Sequence, residues 1–125
     1  MQMKYRIEHD LLGNRQVLNK HYYGIQTLRA KDNFHISGIS ISTYPKLITA
    51  LAQVKKASAM ANYELGLLDE KKSAAICAAC DELLLKKYHD QFIVDPVQGG
   101  AGTSTNMNAN EVIANIALEI LGQIK

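Results

Sequence analysis

Between Tyr44 and Leu65 the apolar or small residues Leu47, Leu51, Val54, Ser58, Ala61 and Leu65 recur in alternating steps of four and three. With 3.6 residues per turn, that spacing lays them along one face of a helix, the pattern of a bundle seam. Pro45 suits the first turn, where its missing N–H leaves no bond unmade, Thr43 is a candidate cap and Gly66 a stop. A chain with one long helix of this kind must bury its seam against others, and two more are readable. One runs from about Asp69 to Tyr88, with Asp69 as cap and with Ile76, Cys80, Leu83, Leu84 and Lys87 at helical spacing. The other starts at Thr105 or Met107 and ends at Leu121 before Gly122. It carries two adjacent stripes, Val112/Ile116/Ile120 and Ile113/Ala117/Leu121, a width that implies more than one neighbour.

Residues 1–43 have no such periodicity. Gly13, Gly24 and Gly38 punctuate them, Lys4 to Asp10 reads as a short extended piece, and Tyr22 to Asn33 as one or two helical turns. The expected architecture is therefore mostly α: three main helices over residues 44–125, an irregular arm over residues 1–43, and little strand. At 125 residues the chain is long enough for one domain with its own core.

Several classes of function are disfavoured. The 14 basic and 12 acidic residues are interspersed and leave a net charge of +2, so no basic face for nucleic acid is expected. No run of 18 apolar residues exists to span a membrane, and residues 1–10 carry no apolar core of a secretory signal. With two cysteines and no export signal, the expected compartment is the cytoplasm. Cys77-Ala-Ala-Cys80 has redox spacing but lies mid-helix among alanines, where both thiols are expected as buried, redox-silent fillers. His9, His21, His35 and His89 share no metal-ligand spacing, and no metal is expected.

One segment suggests chemistry: Gln98-Gly99-Gly100-Ala101-Gly102-Thr103-Ser104-Thr105-Asn106. Three glycines in four residues let a ligand approach the main chain, and the helix that follows offers free N–H groups and a positive dipole end to an anion. Thr103, Ser104, Thr105 and Asn106 add short polar side chains able to bond a carboxylate or phosphate. The plainer alternative is a flexible turn with a Ser/Thr cap. The segment is not a Walker A loop, since no Gly-Lys-Ser/Thr follows, nor a dinucleotide fingerprint, since no strand precedes it. Arg29 is a candidate carboxylate clamp, with a surface salt bridge as its alternative. Lys55-Lys56 reads as a solvated helix face.

Taken together, Arg6-Ile7-Glu8-His9-Asp10-Leu11-Leu12-Gly13, Tyr22-Tyr23-Gly24-Ile25-Gln26-Thr27-Leu28-Arg29-Ala30, Asn33-Phe34, Asp90-Gln91-Phe92 and the run from Gln98 through Asn106 to Met107-Asn108-Ala109-Asn110-Glu111 are more specific than any one motif. In this order and spacing the chain resembles the N-terminal region of the aspartate ammonia-lyases of the fumarase/aspartase superfamily. Fumarases usually carry Ser-Gly-Thr where this chain has Ala101-Gly102-Thr103, which together with Tyr22-Tyr23-Gly24 favours the aspartase branch.

The resemblance implies a large homotetrameric enzyme with a long helical bundle, interconverting L-aspartate with fumarate and ammonia without an organic cofactor. This chain would be its N-terminal domain, cut from a longer parent. The family's catalytic serine lies on a Gly-Ser-Ser-x-Met-Pro-x-Lys-x-Asn loop, and neither that loop nor the family's Thr-His substrate segment occurs here, whereas its Ser-Thr-Asn is matched by Ser104-Thr105-Asn106. What carries over is Gly102, Thr103, Ser104, Thr105 and Asn106 as holders of a substrate carboxylate, with Arg29 as a further candidate. No residue of the chain is implied as the base, so the chain alone is expected to be inactive. The other readings are a fumarase-like hydro-lyase domain, and a stand-alone helical module binding a partner helix along Leu47, Leu51, Val54 and Leu65.

Overall fold

The computed structural model describes residues 4–125. Two strands, β1 (Tyr5–Asp10) and β2 (Gly13–Leu18), precede helix α1 (Ile25–Asn33). A 3-10 turn at Ile41–Thr43 leads into α2 (Pro45–Glu64), followed by α3 (Glu70–Leu84), a second 3-10 turn at His89–Gln91, and α4 (Thr103–Ile120). The fold is broadly helical, but the described residues form four helices and a two-stranded sheet rather than three helices and an irregular arm. The extended piece expected at Lys4 to Asp10 is β1. It pairs antiparallel with β2, Tyr5 opposite Leu18 and Asp10 opposite Gly13. Gly13-Asn-Arg-Gln-Val-Leu18 gives little sequence signal for a strand because only Val17 is fully buried. The hairpin is fixed by its ladder to β1 and by the burial of that one residue.

Helix α2 forms where the periodicity places it, with Pro45 in its first turn and Gly66 after its end. Thr43 does not cap it: the N-cap is Tyr44, with no side-chain bond. The buried face also differs. Leu47, Val54 and Leu65 are 40, 61 and 72 % exposed, whereas Ile48, Ala52 and Ala59 are buried. The face that packs is thus rotated about one residue from the expected seam. Small side chains explain the choice: Ala52 shares a core with Ala75 and Ala79, and Ala59 is buried as well, so α2 and α3 can approach closely. The Ser73 hydroxyl donates to the Ala59 carbonyl across this contact.

Helix α3 begins as expected, with the Asp69 carboxylate accepting from the Lys72 N–H at 2.9 Å. It ends at Leu84, short of Tyr88, because Lys86 and Tyr88 take left-handed backbone angles (φ 63° and 59°). Cys77 and Cys80 do lie inside it. Only Cys80 is buried; Cys77 is half-buried, contrary to the expectation for both. Burial pushes the Cys80 thiol up to about 11. A thiol reagent at neutral pH should therefore modify Cys77 and spare Cys80 until denaturant is added, because the thiolate is the nucleophile. Equal native rates, read by mass spectrometry, would contradict this.

Helix α4 starts at Thr103, earlier than the sequence indicates. Val112, Ile113, Ile116 and Ala117 of its two stripes are buried, while Ile120 and Leu121 are partly open. Ile113, Ala117 and Leu121 line an open apolar groove of about 690 Å³ between α2, α3 and α4. No described helix is long and apolar enough to cross a membrane.

Two buried polar side chains hold the loop from Phe92 to Gly102 in place. Asn108 on α4 accepts the Ile93 N–H (2.9 Å) and the Val94 N–H (3.4 Å) and donates to the Gln91 carbonyl (3.0 Å). Asp95 accepts the N–H groups of Ile36, Ser37, Gly38 and Val97 and the Ser37 hydroxyl. Burial raises the Asp95 carboxyl, but these donors outweigh it and hold it at about 2.

Candidate functional site

Of the three glycines in the loop, Gly102 alone has a left-handed backbone (φ 68°, ψ 21°), and it is the residue immediately before α4. A side chain there would be strained, which is why a glycine stands at this point. No side chain of the cap residue is available, so the first turn of α4 is closed from outside. The Gln98 amide does this. Its oxygen accepts the Thr105 N–H at 2.9 Å, and its nitrogen donates to the Thr105 hydroxyl at 2.7 Å and to the Asp95 carbonyl at 2.9 Å. Asn106 is engaged too, its side-chain oxygen accepting from Lys55 Nζ at 2.6 Å.

Thr103 and Ser104 remain. They occupy the first turn of α4, and their hydroxyls make no hydrogen bond within the described residues. Thr103 is exposed and Ser104 half-buried. The site is thus a helix N-terminus with two free hydroxyls, flanked by an Asn–Lys contact. Such an arrangement can receive an anion. Among the described residues no titratable side chain hydrogen-bonds either hydroxyl. Among the described residues no three of His, Cys, Asp or Glu cluster as metal ligands.

The structure brings Gly102, Thr103, Ser104, Thr105 and Asn106 together, but not Arg29. The Arg29 guanidinium is turned to the hairpin, where it forks onto Asp10 (2.7 and 2.8 Å) and reaches the Gly13 carbonyl (3.3 Å). This bond holds the Asp10 carboxyl below the usual carboxylate range. Lys55 and Lys56 are not a merely solvated face: Lys55 crosses from α2 to Asn106, and Lys56 pairs with Asp81. Sequence reasoning missed Gln98, Lys55 and Asn108 as organisers of the loop. The only signal for Gln98 is its place just ahead of the glycines, and Lys55 has none, since its partner is 51 residues away.

This fold and loop define a class. A model of a lyase family matches residues 13–125, and the chain belongs to that family. Within it, the chain is similar to aspartate ammonia-lyases. It is 62% identical over 120 residues to that of Helicobacter pylori strain J99, covering 96% of this chain and 26% of the relative. Against that of Bacillus subtilis it is 58% identical over 124 residues, covering 99% and 26%. Among solved structures, a fumarate lyase:delta crystallin from Brucella melitensis superposes with a TM-score of 0.94 at 55% identity, covering 97% of this chain and 28% of that one. A class II fumarase from Schistosoma mansoni gives 0.89 at 34% identity, covering 98% and 26%. The chain spans about a quarter of the length of the curated relatives it matches.

Proposed function

We propose that this chain is the N-terminal part of a cytoplasmic, homotetrameric carbon–nitrogen lyase that reversibly eliminates ammonia from L-aspartate to give fumarate, with no organic cofactor. Its contribution is one carboxylate-binding element. The observation that carries this reading is the first turn of α4. Thr105 and Asn106 are held by Gln98 and Lys55, which leaves the Thr103 and Ser104 hydroxyls free at the positive end of the helix. Removing a proton beside a carboxylate builds up a dianion, and fixed donors aimed at its oxygens stabilise it. The base that removes the proton belongs to chain outside these residues. Arg29, committed to Asp10, acts by fixing the hairpin rather than by touching substrate.

The hydro-lyase reading has the fumarase neighbour behind it, at 34% identity against about 60% for the aspartate ammonia-lyases. Fumarate absorbance separates the two. A full-length protein carrying this sequence should form fumarate from L-aspartate and not from L-malate; the reverse preference would overturn the assignment. The 125-residue chain by itself should form none, for want of a base. Turnover that copurifies with it would refute that division of labour.

A further inference from the structure

Between the hairpin, α1 and α4 lies a pair of carboxyl groups that the proposed reaction does not use. Glu8 on β1 accepts from Arg6 Nε with Oε1 and from the Ile25 N–H with Oε2, both at 2.7 Å. Glu111 on α4 accepts the Thr27 N–H (2.8 Å) and hydroxyl (3.0 Å) with Oε1. Its Oε2 is buried and has no partner. Gly24 shows how close the two groups are. A Cβ there would overlap Glu111 Oε2 and stand 2.5 Å from Glu8 Oε2, so both oxygens converge on one point. Two carboxylates facing each other without a proton would repel in a water-poor space, and a buried acceptor would go unmet.

We propose that Glu111 is a neutral acid whose Oε2–H donates to Glu8 Oε2, so that one proton bridges helix α4 to the N-terminal arm. The roles are asymmetric because Glu8 already accepts from a guanidinium and an N–H, which suit an anion. Arg6 is itself held by the carbonyls of Leu18, His21 and Tyr23 and stays with Glu8. Among the described residues no cation other than Arg6 bonds either carboxyl. From α1 the Thr27 N–H and hydroxyl and the Gln26 N–H face Glu111, while Arg29 is turned to Asp10. The neighbouring turns of α4 carry the neutral Asn108 and Asn115. On α2, Lys55 is spent on Asn106 and Lys56 on Asp81 of α3, and Glu82 of α3 is paired with Lys87. Burial, and then the Glu8 charge, raise the Glu111 carboxyl against the opposing bonds from Thr27.

The sign follows by linkage. A carboxyl raised on folding binds its proton more tightly in the native state, so stability is full below the unfolded value and is lost as pH rises through the folded one. Deprotonation therefore loosens the arm from the helix that carries the Gly102–Thr103 turn. The test follows the thermal midpoint of the chain across about pH 5 to 9, together with the ¹³C shift of the Glu111 carboxyl. The wild type should lose several degrees over the interval in which that carbon titrates. Glu111→Gln keeps both bonding partners without the charge, and should abolish that loss while matching or exceeding the wild type at neutral pH. Glu8→Gln removes the facing charge, and should bring the Glu111 titration back toward the ordinary carboxylate range. A Glu111 carbon that titrates as an ordinary carboxylate in the wild type would overturn the proposal, as would an unmoved titration in Glu8→Gln. The carbon titrations decide the matter even where Glu111→Gln fails to fold.

Discussion

Thr103→Val in a full-length protein carrying this sequence should lower kcat/KM for L-aspartate by about 10- to 150-fold. The substitution keeps the shape of the side chain and removes one donor. A hydrogen bond to a charged group contributes about 1.5–3 kcal/mol, and each 1.36 kcal/mol is a factor of ten. How the loss divides is informative. If the hydroxyl meets the carboxylate only as the dianion develops, kcat falls; if it holds ground state and transition state equally, KM rises. The competing role for Thr103, a helix cap, predicts lowered stability instead. The structure argues against that role, because the N-cap is Gly102 and it is Gln98 that closes the first turn through Thr105. Thr103 is exposed, so the variant's stability should stay within about 0.5 kcal/mol of the wild type. Unchanged kinetics with a lowered thermal midpoint would remove Thr103 from the site.

Asn108→Ala should produce the largest loss of stability among polar substitutions. The side chain is fully buried and serves three main-chain groups, the N–H groups of Ile93 and Val94 and the carbonyl of Gln91. Alanine leaves these unmet in a dry interior. Leaving one buried group unsatisfied costs about 1–3 kcal/mol, and water entering the vacated space recovers part of the total, so a loss of about 3–5 kcal/mol is expected. The whole stability of a domain is about 5–15 kcal/mol. The denaturation midpoint measures this directly, and a shift equivalent to less than about 1 kcal/mol would show that the loop from Gln91 to Val94 is held by other contacts. Because that loop leads to Gln98 and Gly102, proteolysis near Gly99 and Gly100 should quicken in the same variant.

The three long helices were legible in the sequence because their signals are local. Pro45, Asp69, Gly66 and Gly122 sit where the missing N–H, the capping carboxylate and the helix stop require them, and the apolar steps between them repeat with the helix period. The loop before α4 was legible for the same reason, and the residues quoted along it carry the family resemblance over almost the whole chain. Tertiary structure decided the remainder. Which face of α2 is buried depended on close approach to α3, and this favoured Ala52 and Ala59 over the larger Leu47 and Val54. Strand β2 exists because it pairs with β1 and buries Val17, a context its polar sequence does not contain. Arg29 could hold a carboxylate of either kind, and the fold set it on Asp10. Glu8 and Glu111, 103 residues apart, meet only because Gly24 leaves no Cβ between them. Periodicity and caps are written residue by residue along the chain; a partner for a buried charge is a property of the three-dimensional packing, and no spacing in the sequence encodes it.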